Sequence, residues 1–283
     1  MTTLKIAGVP EHFNLPWHLC IENQEFAVAN IDLQWMDVPE GTGKLAQMLR
    51  SGETDIAVIL TEGIVKDIAG GNPSKIVQVY VESPLIWGIH VAANSKFKTI
   101  ADLQDAKVAI SRTGSGSQLM AYVNAEQNGW KTSDLQFEIV NTINGAVESL
   151  MAGTSDYFMW EHFMTKPLVD QGIFRRLGEC PTPWPCFVIA VREQVLEQHG
   201  SEILEVLKII NKKTRLFKNI PNIDAILASH YKLEIADIRE WLSLTQWSQN
   251  QIEEQVLNKV QNQLFNLSLI NKKGTFAEMV KTV

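Results

Sequence analysis

Thr113-Gly-Ser-Gly-Ser117 lies between an apolar run, Val108 to Ile110, and an apolar-periodic segment that opens at Gln118. A strand, a Gly/Ser turn and a helix start in that order present backbone N–H groups with no acceptor inside the helix. Such a turn can seat a carboxylate, sulfonate or phosphate. The Ser115 and Ser117 hydroxyls add donors, and the same two side chains suit helix capping. Gly114 and Gly116 let the backbone turn and come close to a guest. The turn is not a Walker loop, because no Gly-Lys-Ser/Thr follows it. A second small-residue turn, Glu40-Gly-Thr-Gly43, also stands before a helical segment. No serine, histidine and acid share a nucleophile-elbow context, so the residues point to binding without chemistry.

The elements that must position these turns alternate. Leu4 to Val9 reads as a strand, Trp17 to Ala27 as a helix, Ile31 to Val38 as a strand, Lys44 to Arg50 as a helix and Asp55 to Leu60 as a strand. That order predicts a parallel sheet with helices on its faces. Ile76 to Val81 and Trp87 to Ala93 add two strands. The pattern then restarts: a short helix at 100–104, the strand 107–110, a helix over 118–128, the strand 137–140, a helix to Met151 and the strand 156–160. Leu49-Arg-Ser-Gly-Glu-Thr-Asp-Ile-Ala57 and Leu150-Met-Ala-Gly-Thr-Ser-Asp-Tyr-Phe158 share Leu-x-x-Gly-x-x-Asp followed by two apolar residues. In each, a helix ends on glycine and a turn carries Asp into a strand, which implies two units of one plan. Gly178 to Pro185 reads as a stiff connector and Cys186 to Val191 as a strand. Helices follow over 193–199, 202–218, 223–231, 235–244 and 249–269, with Phe265 and Leu269 expected on a core stripe.

The chain has 283 residues, 45% of them hydrophobic and 20% charged, and a formal charge of −7. That describes a folded protein without the basic face that nucleic acid requires. Apolar runs are strand-length, so no membrane span is expected. No basic start, apolar core or cleavage site precedes Leu4-Lys-Ile-Ala-Gly-Val9, which favours the cytosol; a periplasmic location would require a removed leader. Cys20, Cys180 and Cys186 have no metal-like spacing and are expected as reduced thiols. No cofactor motif is present, and no metal site is expected.

The two Leu-x-x-Gly-x-x-Asp joints, Leu103-Gln-Asp-Ala-Lys-Val-Ala-Ile110 before Gly114-Ser-Gly-Ser117, Phe158-Met-Trp-Glu-His162 and Ile238-Arg-Glu-Trp-Leu near Trp247 together resemble the type II periplasmic-binding-protein fold. The similarity is greatest to binding proteins for nitrate, alkanesulfonates, taurine and thiamine-pyrimidine precursors. It covers nearly the whole chain and, with no leader evident, resembles the cytoplasmic members. The resemblance implies an α/β protein of two Rossmann-like lobes joined by a two-segment hinge. Lobe 1 would span 1–92 and 187–283 and carry the extra C-terminal helices, and lobe 2 would span 93–186. It further implies a ligand at the carboxyl ends of the strands, with closure as the functional motion.

The residues placed there are Glu11, His12 and Phe13; Gly41, Thr42 and Gly43; Thr61, in the loop Thr61-Glu62-Gly63; Thr113, Ser115, Gly116 and Ser117; Asn144; Trp160 and Glu161; and Trp184 at the hinge. The two small-residue helix starts would face each other, each favouring an anion by about 0.3–1 kcal/mol. Phe13, Trp160 and Trp184 suit a flat organic body.

Each assignment has a plainer counterpart. Ser115 and Ser117 suit capping alone. His12 reads as a polar loop contact rather than a metal ligand with His18, whose spacing is wrong. Trp160 could be core, and Glu161 a surface carboxylate or a partner for a cationic group. Asp55 and Asp156, at strand starts, read as structural, and Trp17, Trp130 and Trp241 as packing.

The expected function is a small-molecule-binding protein for an anion or flat heterocycle, partnered by an ABC permease only if exported. The alternatives are an enzyme like the fungal thiamine-pyrimidine synthases, whose Cys-rich motif is missing here, and a sensor recognised in its closed form.

Overall fold

Short aliphatic runs become strands where turn residues close them, and amphipathic runs between them become helices. In the computed structural model, which describes residues 1–282, the opening segment gives Thr2–Gly8 (β1), Leu15–Glu22 (α1), Glu25–Val28 (α2), Ile31–Asp37 (β2), Thr42–Ser51 (α3), Ile56–Leu60 (β3), Thr61–Ala69 (α4) and Ser74–Val81 (β4). The middle segment gives Ile86–Ala92 (β5), Lys107–Ile110 (β6), Gly116–Gln127 (α5), Gln136–Ile139 (β7), Ile143–Ala152 (α6), Tyr157–Glu161 (β8), His162–Asp170 (α7) and Phe174–Pro181 (β9). The chain returns as Phe187–Arg192 (β10) and ends in helices Glu193–Leu216 (α8), Ile223–Tyr231 (α9), Ile235–Leu244 (α10), Glu254–Asn266 (α11) and Phe276–Met279 (α12).

Two compact units result: Met1–Ser83 with the chain from Trp184 onward, and Pro84–Pro183. The sequence-based boundaries lie at 92/93 and 186/187, nine and three residues further along, and the first of them would put β5 in unit 1. Unit 1 holds a sheet ordered β2-β1-β3-β10-β4, and unit 2 one ordered β7-β6-β8-β5-β9. Each has three parallel strands and then an antiparallel one, β10 or β5, which the chain contributes from elsewhere in sequence. The C-terminal helices belong to unit 1. The core of unit 2 on one sheet face gathers Ala92, Ala109, Val140, Ala146, Leu150, Phe158 and Phe174.

The repeated joint is built the same way twice. Gly52 (φ 77) and Gly153 (φ 69) end α3 and α6 in the left-handed region, where a glycine avoids the Cβ penalty. The next N–H, of Glu53 or Thr154, returns 3.0 Å to the carbonyl of Met48 or Ser149. Asp55 Oδ2 then accepts from Lys5 N at 2.9 Å, and Asp156 Oδ2 from Lys107 N at 2.8 Å. Both aspartates thus fasten a strand start.

Several elements depart from the sequence reading. The helix expected over 17–27 breaks at Gln24, whose φ of 56 ends one helix and starts the next. The connector expected at 178–185 is strand as far as Pro181, because β5 supplies an antiparallel partner. A helix missing from the reading, α7, carries Pro167 inside it. The helices at 193–199 and 202–218 merge into α8 across a kink at His199 (φ −134). Phe265 is 44% exposed rather than core, with Lys273 Nζ over its ring at 4.9 Å, and Leu269 is half-buried. Trp17 and Trp241 are buried packing residues and Trp130 is half-buried. The three cysteines are buried free thiols.

Candidate functional site

In unit 1, β1, β2 and β3 run parallel and end on one edge of the sheet. Beyond β1, His12, Phe13 and Asn14 form a single 3₁₀ turn. Tyr80 Oη donates to Phe13 O at 2.8 Å and Asn14 Nδ2 to Val9 O at 2.8 Å, which pins the turn to the sheet. His12, expected as a polar loop contact, is a completely buried ring, 4.2 Å from Trp241 and 4.9 Å from Phe13 between centroids. The reason is the tail: α10 lays Trp241 on it, and burial pushes the imidazole down to about 3, so it is neutral. Half-buried Glu11 beside it is pushed up to about 7 by the same loss of solvent.

Beyond β2, Gly41 (φ 76, ψ −161) begins α3 without a side-chain cap, leaving the first N–H groups of that helix uncovered by its own cap residue. Thr42 is half-buried and Gly43 exposed. Beyond β3 there is no loop; α4 starts at Thr61 directly. Thr61 Oγ1 donates to Pro185 O at 2.5 Å, and its N–H to Cys186 O at 3.0 Å. A methyl group built on Gly63 would lie 2.0 Å from Thr42 Cγ2, so α3 and α4 touch at their starts. Between Thr61 and Gly63 stands Glu62, which the sequence reading places at the cleft only as part of a loop. It is buried, its Oε2 accepts from Trp184 Nε1 at 2.8 Å, and desolvation pushes its carboxyl up to about 7. Its one sequence signal is an acid two residues after the all-apolar Ile56-Ala-Val-Ile-Leu60. Unit 1 therefore brings together Thr42, Thr61, Glu62 and Trp184 on one side, and Glu11, His12 and Phe13 on the other. Both acids act on the buried Cys186 thiol, which burial raises well above its ordinary value.

In unit 2, the turn after β6 is laced internally. Ser117 Oγ accepts from Ser111 N at 3.0 Å and lies 3.0 Å from Ser115 Oγ. Ser115 caps α5 by accepting from Gln118 N at 3.4 Å, and Gly114 N donates to Gln118 Oε1 at 2.6 Å. Both serine side chains are buried in these duties, whereas Thr113 is exposed and Gly116 half-exposed. The groups this turn offers outward are thus backbone N–H and Thr113. Asn144 is exposed at the start of α6, which Thr142 caps through Gly145 N at 3.0 Å.

Trp160 and Glu161 are the last residues of β8, not a loop. Trp160 stacks on Phe158 at 5.4 Å and meets Trp87 at 6.2 Å, packed against the core face. Glu161 is buried, and its Oε2 accepts from Met164 N at 2.7 Å, capping α7. Beside it, His162 Nδ1 lies 2.7 Å from Glu179 Oε1, and Nε2 lies 2.7 Å from Arg176 Nη1. Among the described residues no group of three or more His, Cys, Asp or Glu is arranged to hold a metal ion.

A groove of about 460 Å³ on unit 1, lined in part by Arg50, Lys66 and Lys272, lies at the carboxyl ends of α3 and α4, the opposite edge from these residues.

The solved structure of the conserved Candida albicans CA3427 gene product, described as having the generic periplasmic binding protein fold, superposes on the whole chain. Its TM-score is 0.92 at 26% identity, over 100% of this chain and 97% of that one. This chain has the type II periplasmic-binding-protein fold. Two sulfonate-binding proteins share the fold. The periplasmic aliphatic sulphonate binding protein SsuA of Escherichia coli matches with TM-score 0.77 and 20% identity over 99% of this chain and 92% of that one. The alkanesulfonate-binding protein SsuA of Xanthomonas axonopodis pv. citri, bound to MOPS, matches with TM-score 0.83 and 17% identity over 100% and 99%. Residues 87–180, the stretch from β5 to β9, match the family profile described as Ca3427-like PBP. A sequence search of curated proteins gives no match. Among the described residues no helix is long and apolar enough to cross a membrane.

Proposed function

We propose that this chain is a binding protein for a small anion or flat heterocycle, held without chemistry by groups at the carboxyl ends of both sheets. The observation that carries the reading is the bare start of α3 at Gly41 together with the Gly/Ser start of α5. Each is the first turn of a helix beyond a parallel strand, where backbone donors lack acceptors within the helix. The sulfonates named for the structural neighbours are guests of the kind such turns suit. Phe13 and Trp184 stand in unit 1 as buried rings, 4% and 3% exposed.

The test is a titration of the full chain with propane-1-sulfonate, nitrate and a set of pyrimidines. It is followed by tryptophan fluorescence and by small-angle scattering. Saturable quenching with a drop in radius of gyration is expected. No saturable response from any member of the set would sink the proposal.

A further inference from the structure

Glu62 is a buried acid with one carboxyl oxygen engaged and the other open. It stands in the first turn of α4, directly beyond β3, with 2% of its surface exposed. Trp184 Nε1 donates to Oε2 at 2.8 Å, while Oε1 is buried with no hydrogen-bond partner among the described residues. An indole N–H can only donate, so it fixes which oxygen faces it and leaves the other as an open acceptor. The neighbours do not fill that position. Thr61 Oγ1 turns to Pro185 O. Thr42 presents its methyl group to Gly63. The Cys186 thiol donates instead to Val81 O at 3.9 Å. Buried acceptors in folded proteins are nearly always paired, so an open one beside candidate ligand groups calls for a donor from outside the chain.

We infer that Glu62 determines specificity on unit 1, selecting guests that present a hydrogen-bond donor, such as an amino-substituted ring, over counterparts that present an acceptor there. The inference rests on the binding reading above and narrows it. An ionised sulfonate is a poor neighbour for Glu11 and Glu62, so an acidic group on the guest belongs with the Gly/Ser turn of unit 2. A carboxyl poised at about 7 ionises readily when a donor arrives.

The decisive variant is Glu62→Gln. Trp184 still requires an acceptor, so the amide oxygen faces the indole and the NH2 takes the place of Oε1. The open position changes from acceptor to donor with almost no change in shape. Calorimetric titration of the full chain at about pH 8, where the carboxyl is ionised, compares 4-aminopyrimidine with pyrimidin-4-one, with propane-1-sulfonate as the anion probe. The wild-type protein is expected to bind the amino ring at least about tenfold more tightly than the oxo ring. E62Q is expected to reverse that order. Trp184→Phe, which keeps the aromatic body but frees the carboxylate to rotate, is expected to narrow the ratio.

Equal affinity of the wild-type protein for the two rings overturns the assignment of Glu62 and leaves the binding reading standing. An unchanged order in a folded E62Q, or binding of the sulfonate alone, has the same consequence. Saturable binding by none of the three probes overturns both. The wild-type ratio decides the matter even if a variant fails to fold.

Discussion

The two units are wound alike and finished differently. Their sheets share strand order, their helices end on left-handed Gly52 and Gly153, and Asp55 and Asp156 make the same bond to the middle of the three parallel strands in each sheet. Val38 N even returns to Gly8 O at 2.8 Å as Val140 N returns to Ile110 O at 2.9 Å. At the carboxyl ends the likeness stops. Unit 1 presents two acids of raised pKa among aromatic rings, and unit 2 a serine-laced turn. Backbone geometry is repeated where it builds the sheet, and side-chain chemistry diverges where a guest would touch it.

Substitutions can break the comparison where the units hold different margins. In unit 2, a methyl group at Gly145 would lie 2.0 Å from Val140 O, a backbone atom held by Thr142 N, which donates to it at 2.7 Å. Gly145→Ala is therefore expected to destabilise by about 3 kcal/mol, read as a fall in the denaturant midpoint. In unit 1, the equally short contact at Gly63 is with Thr42 Cγ2, a side-chain atom that can move. Gly63→Ala is expected to cost about 1–2 kcal/mol, and Thr42→Ser, which deletes that methyl group, to restore most of the loss. Failure of the double variant to recover would show that the clash is not where the strain lies.

The shared joint can be tested for equivalence. Asp55→Ala and Asp156→Ala each remove a carboxylate that accepts a strand N–H, and each is expected to cost about 1–2 kcal/mol. Asp55 also lies 3.9 Å from Arg192 Nη1, so its loss should be marginally the larger. A difference above about 1 kcal/mol would mean that the two joints do unlike work.

The smallest expected effect is on pH dependence. Glu11 and Glu62, raised by burial from 4.5 to about 7, keep protons in the folded chain that the unfolded chain releases. Their contribution is complete at low pH and is lost as pH rises from about 4.5 to 7. His12 in unit 1 and His90 in unit 2 are lowered from 6.5 to about 3, by burial and, for His90, next by Arg176. Their contribution is present above 6.5 and lost as pH falls toward 3. Raising pH from about 5 to 7 should therefore increase hydrogen-exchange protection of β5 and β8 more than that of β3 and β10. Glu62→Gln should shrink that gap. Equal gains in both sheets would show that the acids of unit 1 titrate normally.

The frame is legible in the sequence because its signals are local. A glycine that must take a left-handed turn, followed by Asp and an apolar run, identifies both joints without reference to distant residues. The C-terminal helices at 223–231 and 235–244 are equally legible from periodicity. What escapes is decided at long range. Phe174-Arg-Arg-Leu177 looks unlike a strand until β5 lies beside it. Pro167 disguises α7, whose start Glu161 caps. His12 reads as a polar loop residue, because nothing near it announces Trp241 as its neighbour. Glu62 reads only as one residue of a loop after a strand, and the bond that fixes it comes from Trp184, 122 residues away.

Leu85 and Thr182 exchange two hydrogen bonds, Thr182 N to Leu85 O and Leu85 N to Thr182 Oγ1, each at 3.0 Å. Residues 84–183 therefore enter and leave through a single clasped doorway, and the strands just inside it, β5 and β9, are direct partners. A segment closed in this way behaves as a cartridge. It can be cut out, or exchanged for the corresponding piece of a relative, by splicing at two adjacent points without rethreading the remainder. One half of the molecule could then be retuned for new cargo over generations while the other keeps its design.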